Sequence, residues 1–280
     1  QQWNKRFDAG RMKLNGRVPD LFCVSSMSMH GDRALDMIAD ACRIEPAARP
    51  LIVAGGSLSV YEPHRMFAGD AARPAEADVA VTGEEYVLLS MLEAVLDIRA
   101  AGESMRSAFH RARDSGALDD IPGLVFPVKD RSGRTVELID TGVQRLLGDL
   151  DELPDPVIGY GLLEPPGRAG DLAAAPLPAS RVRRYSPISS IVLTYGCKFA
   201  CPYCPIPAYN QRQHRLKSGE RIAEELHRLN ATYGLKYFFG ADDNFFNNHQ
   251  RTLDIVTRLA ESDLVHDGKP LRQRIRWHTE

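Results

Sequence analysis

Three short apolar runs in the first hundred residues alternate with helical patterns. The runs occupy positions 21–24, 51–54 and 79–81, and each ends in a turn of small, polar or glycine residues. Strands that alternate with helices form a parallel sheet, whose strands read as continuous apolar runs because both faces are buried. The sequence therefore predicts an α/β fold for this part of the chain.

The turns after these three runs are candidates for a binding site. In open α/β sheets, ligands bind at the edge where parallel strands end. Glycine lets a backbone approach a ligand closely, and serine hydroxyls donate hydrogen bonds. The turn residues are Ser25, Ser26, Gly55, Gly56, Gly83 and Glu84.

The same alternation returns in the second half of the chain. The apolar run at 191–193 and the segments at 235–239 and 274–278 predict strands. Between them, Ser218 is placed to cap one helix, and apolar spacing over 253–260 predicts another. Three strand–helix units do not close a barrel. Since the chain also begins with Gln1, we expect it to be part of a longer protein.

The middle of the chain has a different sequence pattern, without the alternation of strands and helices. Runs at 121–126 and 135–138 flank a turn signal and predict a hairpin, and a stretch rich in Gly, Pro and Ala follows. We therefore divide the chain into an N-terminal α/β domain (1–105), a hairpin and connector (106–184) and a second α/β domain (185–280).

Three of the five cysteines lie within eight residues at the start of the second domain. Cys197, Cys201 and Cys204 have the spacing C-x3-C-x2-C and follow the apolar run 191–193. Three thiolates on one loop can hold three irons of a cubane cluster and leave the fourth iron open. An open coordination site on a catalytic metal is where a reactant binds.

Two other uses of these thiols stay open. His214 follows ten residues after Cys204 and could complete a Cys3His zinc site. A disulfide would leave an odd thiol and would suit a secreted chain. Cys23 and Cys42 are isolated, and we predict that both are core residues.

Composition excludes several classes of partner. The net charge of the 280 residues is −2, which gives no electrostatic case for nucleic acid or an anionic membrane. No apolar run approaches the roughly 20 residues that a membrane helix needs. Clustered thiols without a disulfide framework favour a reducing compartment, so we expect a cytoplasmic protein.

The cysteine spacing, with Tyr203 directly before the third cysteine, resembles the signature of the radical S-adenosylmethionine (SAM) enzymes. The resemblance implies a partial (βα)6 barrel, of which this chain holds the first half. It also implies a [4Fe–4S] cluster on the three cysteines, with SAM on the free iron and against Tyr203. An electron-donor protein would reduce the cluster.

A second family motif follows the next strand. In radical SAM enzymes a small-residue and acidic turn there contacts the amino group of SAM. The corresponding residues here are Gly240, Asp242 and Asp243, in a variant of the motif that resembles the cobalamin-linked members. The alternative is that Asp242 and Asp243 cap the following helix.

The three N-terminal turns extend the resemblance to a narrower group within this family. Their spacing is similar to that of the Rossmann-like cobalamin-binding domain of cobalamin-dependent radical SAM enzymes, which implies that the six turn residues cradle cobalamin. The resemblance spans about residues 15–280, and the family's first strand and helix would precede residue 15. Asp-x-His-x-x-Gly, which supplies a histidine ligand to cobalt in methionine-synthase-type domains, does not occur.

The resemblance implies a cobalamin-dependent radical SAM methyltransferase acting on an unactivated centre of a small-molecule or peptide substrate. Cyclisation or rearrangement of a substrate is the alternative reaction, and a non-catalytic cobalamin-binding module is the alternative without catalysis. A sulfur-inserting enzyme that acts on RNA would need three further cysteines in the N-terminal domain, which holds only two.

Overall fold

The computed structural model describes residues 8–69, 73–163, 171–172 and 177–279. The chain divides into two compact units. Described residues up to 146, with 171–172, form the first unit, and 147–163 with 177–279 form the second. Each unit has its own sheet and its own core.

The first unit is built on a five-stranded sheet. The unit as a whole contains seven strands within the described residues: β1 (Lys13–Leu14), β2 (Leu21–Ser25), β3 (Leu51–Gly55), β4 (Val79–Val81), β5 (Leu124–Lys129), β6 (Thr135–Asp140) and β7 (Asp171–Leu172). The sheet has the order β2-β3-β4-β5-β6, and β1 pairs separately with β7. Strands β2, β3 and β4 are parallel, whereas β5 and β6 are antiparallel to their neighbours.

Helices cover both faces of this sheet. They are α1 (Gly31–Cys42), α2 (Ser57–Tyr61), α3 (Glu85–Ile98) and α4 (Met105–Asp114), with 3₁₀ turns at Ala9–Arg11, Ser28–His30 and Pro63–Phe67. Ile52 of β3 packs in a core cluster with residues of α1, and Val53 packs in a second cluster with residues of α3 and α4. Neighbouring residues of a strand face opposite sides, so the apolar run of β3 is buried on both.

The structure alters two predictions for this unit, which concern the hairpin and the position of Cys23. The predicted hairpin is confirmed as β5 and β6, but it extends the sheet because β5 pairs with β4. Cys42 packs partly buried against the core. The prediction of a core position for Cys23 is wrong: it is exposed on β2, an edge strand, where neither core cluster covers it. The domain limits at 105 and 184 stay a prediction.

The second unit contains a parallel sheet with helical crossovers. Its strands are β8 (Ile188–Ile191), β9 (Thr194–Tyr195), β10 (Arg215–Leu216), β11 (Tyr237–Gly240), β12 (Val265–His266), β13 (Lys269–Pro270) and β14 (Arg276–Thr279). Its helices are α5 (Pro156–Tyr160), α6 (Ala179–Tyr185), α7 (Ile206–Asn210), α8 (Gly219–Tyr233), α9 (His249–Glu261) and α10 (Leu271–Arg274), with 3₁₀ turns at Leu150–Glu152 and Phe245–Asn247. The sheet order is β14-β11-β8, with all three strands parallel.

The longest helix of this unit begins at the predicted cap. The hydroxyl of Ser218 accepts a hydrogen bond from the amide of Arg221 at 3.0 Å, which caps α8. Ile222, Leu226 and Leu229 lie buried in the core. No helix in the part of the chain that the structure describes is long and apolar enough to cross a membrane.

The face of α9 differs from the prediction. On the predicted face Leu259 is buried, but Leu253 and Val256 are 50% and 41% exposed, and the helix buries Thr252 and Ile255 instead. The predicted face and the observed buried face both have helical spacing, so periodicity alone did not distinguish between them. The buried hydroxyl of Thr252 has a hydrogen-bond partner, because it donates to the carbonyl of Phe245 at 2.9 Å.

The strand before the cysteines also differs. The apolar run 191–193 predicted a strand, but β8 ends at Ile191. Beyond it, the amides of Leu193 and Thr194 donate to the carboxylate of Asp242 at 2.9 and 2.7 Å rather than to a neighbouring strand. The backbone therefore leaves the parallel sheet two residues earlier than the apolar run suggests.

Candidate functional site

The cysteine loop lies between β9 and β10 of the second unit. Cys197 and Cys204 are partly buried and Cys201 is exposed, and all five cysteines of the chain are free thiols. The amide of Cys204 donates to the carbonyl of Cys201 at 3.1 Å, which closes a tight turn between the last two cysteines.

A glycine begins this loop for a steric reason. Gly196 has φ = +82°, a conformation that residues with a Cβ rarely adopt. A Cβ built on Gly196 would overlap the carbonyl oxygen of Gln213 and would lie 2.9 Å from the side chain of Asn210. The chain entering the loop is therefore packed directly against the chain leaving it.

Asp242 fixes the segment before the loop. Its Oδ1 accepts hydrogen bonds from the amides of Leu193 and Thr194 and, at 3.1 Å, from the Thr194 hydroxyl. Its Oδ2 accepts from the hydroxyl of Thr279 at 2.6 Å. A carboxylate accepts about four hydrogen bonds, so this one is fully engaged.

Asp243 joins the two ends of the loop. Its Oδ2 accepts from the amide of Gly196 at 2.8 Å and from Nδ2 of Asn210 at 3.2 Å. Its Oδ1 accepts from the hydroxyl of Tyr209 at 3.0 Å. Gly196 precedes the first cysteine, whereas Tyr209 and Asn210 follow the third, so one carboxylate bridges both sides.

Asn247 contacts the loop next to the first cysteine. It is buried, and its Oδ1 accepts from the amide of Lys198 at 3.2 Å and lies 3.7 Å from Sγ of Cys197. Its Nδ2 donates to the carbonyl of Asn244 at 2.9 Å, which fixes the orientation of the amide.

The helix-capping alternative for the two aspartates is wrong. Asn244 caps the 3₁₀ turn by accepting from Phe246, and Asn248 caps α9 by accepting from Arg251. SAM contact by Asp242 or Asp243 stays a prediction.

Gly240 and Tyr203 complete the predicted SAM residues. Gly240 ends β11, and a Cβ there would lie 2.5 Å from the hydroxyl of Thr279, so close packing requires glycine. Tyr203 is 86% exposed, which leaves its ring face open to a ligand. Contact of these two residues with SAM stays a prediction.

The donor set of the loop fits a cluster better than a carboxylate-ligated ion. The thiols are free, while the nearby carboxylates of Asp242 and Asp243 are engaged with amides and hydroxyls. Across the described residues, no group of three or more His, Cys, Asp or Glu side chains already has a metal-site arrangement. The cluster and the zinc site both stay predictions.

His214, the candidate fourth zinc ligand, lies near the loop. Burial lowers the pKa of His214, and the positive charges of Lys198 and Arg251 lower it further. Its Nε2 is buried without a hydrogen-bond partner among the residues described. Burial and the neighbouring cations therefore disfavour the charged form of this ring, against the opposing effect of Asp242.

The first two predicted turns of the first unit pack tightly against each other. The amide of Ser26 donates to the carbonyl of Gly55 at 3.1 Å, and the amide of Leu58 donates to the carbonyl of Ser26 at 3.0 Å. Gly56 has φ = +82°, and a Cβ there would lie 2.7 Å from the backbone of Ser26 and 2.8 Å from Oγ of Ser25.

This edge of the sheet also presents features that a ligand could use. The hydroxyls of Ser26 and Ser59 are buried and have no hydrogen-bond partner within the described ranges. A Cβ on Gly55 would meet no atom within 4 Å, so the space beside the end of β3 is open. A buried polar group without a partner is costly, and a bound polar molecule would remove that cost.

The third turn is held by a residue that the sequence did not single out. The amide of Glu84 donates to Oε1 of the buried Gln144 at 2.6 Å. A Cβ on Gly83 would lie 2.7 Å from the same oxygen and 2.7 Å from Val87. Packing therefore already accounts for the glycine at position 83.

Sequence reasoning missed several of these contributors. Asn247 contacts the cysteine loop directly, whereas Tyr209 and Thr279 donate to Asp243 and Asp242, and no local motif marks contacts that span 30 to 50 residues. Ser59 lies three residues after Gly56, and a serine just past a glycine turn was a signal that could have found it.

Comparison with known proteins gives partial but consistent matches. No protein-family model matches the chain. The hopanoid C-2 methylase of Rhodopseudomonas palustris strain TIE-1 is 36% identical over 95 residues, which cover 32% of this chain and 18% of the relative. The hopanoid C-3 methylase of Methylococcus capsulatus strain Bath is 30% identical over 137 residues, which cover 46% of this chain and 25% of the relative.

Solved structures resemble most of the chain in fold. The cobalamin-dependent SAM radical enzyme OxsB, solved with aqua-cobalamin and SAM, matches with a TM-score of 0.56 and 18% identity, covering 92% of this chain and 30% of OxsB. The radical SAM methyltransferase TsrM from Kitasatospora setae, solved with cobalamin and a [4Fe–4S] cluster, matches with a TM-score of 0.51 and 16% identity, covering 92% and 43%.

The sequence and fold matches agree with each other. The sequence relatives are methylases, and the structures of similar fold are radical SAM enzymes solved with cobalamin. The chain spans about a fifth to a quarter of the length of these two curated relatives.

Proposed function

We propose that this chain, which resembles cobalamin-dependent radical SAM enzymes in sequence and in fold, is part of a methyltransferase of that class. The observation that carries the proposal is the loop with three free thiols, which stands at the carboxyl edge of a parallel sheet. The proposed reaction is methyl transfer to an unactivated centre, and cyclisation or rearrangement is the alternative within the class.

Cys197, Cys201 and Cys204 would hold a [4Fe–4S] cluster through their thiolates. They are free, and two are only partly buried, so iron and sulfide can reach them. SAM would then bind beside the exposed ring of Tyr203 and near Gly240, at the end of β11. The second unit would be the first half of a partial (βα)6 barrel.

The carboxyl edge of β2, β3 and β4 would hold cobalamin in a Rossmann-like domain. The unpartnered hydroxyls of Ser26 and Ser59 and the open space beside Gly55 support this proposal. Exposed Met27 and Met29 follow the first turn and could cover an apolar ring face. Ser25, Gly56, Gly83 and Glu84 would complete the cradle.

When bound, the cluster would supply the electron that cleaves SAM, and cobalamin would supply the methyl group. The protein's own contribution is to orient these groups and to keep water away from them. The proposal includes an electron-donor protein and a small-molecule or peptide substrate. Five free thiols without a disulfide fit a reducing compartment, so we place the protein in the cytoplasm.

Anaerobic reconstitution with iron and sulfide tests the cluster proposal. We expect the chain to retain about four irons and the variant Cys197→Ala/Cys201→Ala/Cys204→Ala to retain close to none, because a cubane cluster needs its thiolates. The paired variant Cys23→Ala/Cys42→Ala is the control and should retain as much iron as the unaltered chain. Equal iron in the triple variant and the unaltered chain would refute the proposal.

Substitution at Gly55 tests the cobalamin proposal. Gly55→Leu places a side chain into the open space beside β3, so we expect cobalamin affinity to fall at least tenfold, about 1.4 kcal/mol. The unfolding midpoint should stay within about 2 °C, because a Cβ at this position meets no atom of the fold within 4 Å. Spectrophotometric titration with hydroxocobalamin measures the affinity.

Gly148→Leu is the matched control for this titration. Gly148 lies in the second unit, and a Cβ there also meets nothing within 4 Å. If Gly55→Leu binds cobalamin as tightly as Gly148→Leu, cobalamin does not occupy this edge of the sheet.

A further inference from the structure

The segment that enters the cysteine loop is held by side chains in the way that a strand is held by its neighbour. Up to Ile191, the backbone of β8 pairs with β11, and the amide of Ala241 still donates to the carbonyl of Ile191 at 2.8 Å. After that point the two backbones separate. Side chains from residues 242–247 then accept the hydrogen bonds of the loop segment.

Three of the accepted amides lie two residues apart, and Leu193, the neighbour of the first, also donates to Asp242. Asp242 accepts from Thr194, Asp243 from Gly196, and Asn247 from Lys198. Alternate residues of an extended chain direct their amides to the same side, which is why a neighbouring strand accepts every second amide. Here three side-chain oxygens accept these amides, although the segment leaves the extended conformation at Gly196, where φ is +82°.

The opposite side of the segment is also paired. Thr194 and Tyr195 form β9, which pairs antiparallel with β10, and the amide of Lys217 donates to the carbonyl of Leu193 at 3.1 Å. The backbone before Cys197 is therefore held on both sides by hydrogen bonds to the protein's own groups.

On the basis of the proposed function, we infer that Asp242, Asp243 and Asn247 are positioning residues for the cysteine loop. They act as hydrogen-bond acceptors that form the loop before iron arrives, and Asp243 ties its two ends together. In this role the oxygen atom matters more than the negative charge. A carboxylate that paired with the ammonium group of SAM would act through its charge instead.

Two substitutions at Asp243 separate these roles. Asp243→Ala removes both oxygens and frees the amide of Gly196. Asp243→Asn keeps one oxygen that can accept from Gly196 and Asn210, and its NH2 group can donate to the hydroxyl oxygen of Tyr209. The asparagine variant therefore keeps the hydrogen bonds but removes the charge.

Amide hydrogen exchange in the iron-free chain, resolved by residue, is the first measurement. We expect the Gly196 amide to exchange at least tenfold faster in Asp243→Ala, about 1.4 kcal/mol of local opening, and within about twofold of the unaltered chain in Asp243→Asn. Unchanged exchange in Asp243→Ala would overturn the inference. This measurement needs no iron, so it tests the loop even if the cluster proposal fails.

Reconstitution and equilibrium dialysis with SAM are the second measurement. We expect Asp243→Ala to retain less than half the iron of the unaltered chain, and Asp243→Asn to retain a similar amount and to bind SAM within about threefold. If Asp243→Asn retains the iron but loses SAM binding more than tenfold, the charge acts on SAM and the inference is wrong. If the unaltered chain takes up no iron, the proposed function fails instead.

Discussion

Gly196→Ala is expected to disrupt the cysteine loop and the second unit around it. The left-handed backbone at this position costs about 1–3 kcal/mol for a residue with a Cβ, and overpacking against the Gln213 carbonyl adds about 1–3 kcal/mol. We therefore expect the free energy of unfolding to fall by about 2–6 kcal/mol and iron retention after reconstitution to be largely lost.

Urea unfolding followed by circular dichroism measures the first effect, and iron analysis measures the second. Gly148→Ala is the control, because Gly148 has neither a positive φ nor an atom near its Cβ position. Its unfolding free energy should change by no more than about 0.5 kcal/mol. If Gly196→Ala behaved like this control, the close approach of Gln213 to the loop would be wrong.

Glu225→Leu is expected to destabilise the second unit by about 3–5 kcal/mol. Glu225 is fully buried, and its carboxylate accepts from Nζ of Lys217 at 3.0 and 2.9 Å and from Nε of Arg221 at 2.9 Å. Lys217 is itself only 7% exposed. Removing the carboxylate leaves a buried ammonium group without a counter-charge, and this is the costly event.

The double variant Lys217→Met/Glu225→Leu distinguishes this cause from a simple packing defect. Because it removes both charges, it should recover most of the stability lost in Glu225→Leu. Glu224→Leu on the same helix is the control: its pair with Arg228, at 3.5 Å, is exposed, so the change should stay below about 1 kcal/mol. A double variant no more stable than Glu225→Leu would contradict the explanation.

The parts of the fold with the strongest local signal were predictable. Strands β2, β3 and β4 are continuous apolar runs that end in turns of small, polar or glycine residues, and helix α8 begins directly after its predicted cap, Ser218. In contrast, β8 begins at Ile188, before the apolar run, where it pairs with β11 and buries the polar Ser189. A polar residue that is buried by its neighbours in the sheet gives no apolar signal.

The candidate site was also predictable only in part. The three cysteines form a local pattern, so the sequence located the loop. The partners that hold the loop did not follow from any pattern, because Asp242 and Asp243 carry the same residue type whether they bind a ligand, cap a helix or accept backbone amides. Only the distances to Thr194 and Gly196 distinguish these roles.

The anchoring of the cysteine loop has a consequence for protein engineering. The eight residues from Cys197 to Cys204 depend on acceptors that lie about forty to fifty positions further along the chain, beyond helix α8. A chimaera that transplanted only the cysteine-bearing peptide would leave these acceptors behind. The smallest segment that carries its own supports runs from β8 through Asn247, so loop, helix and second strand would have to be exchanged together.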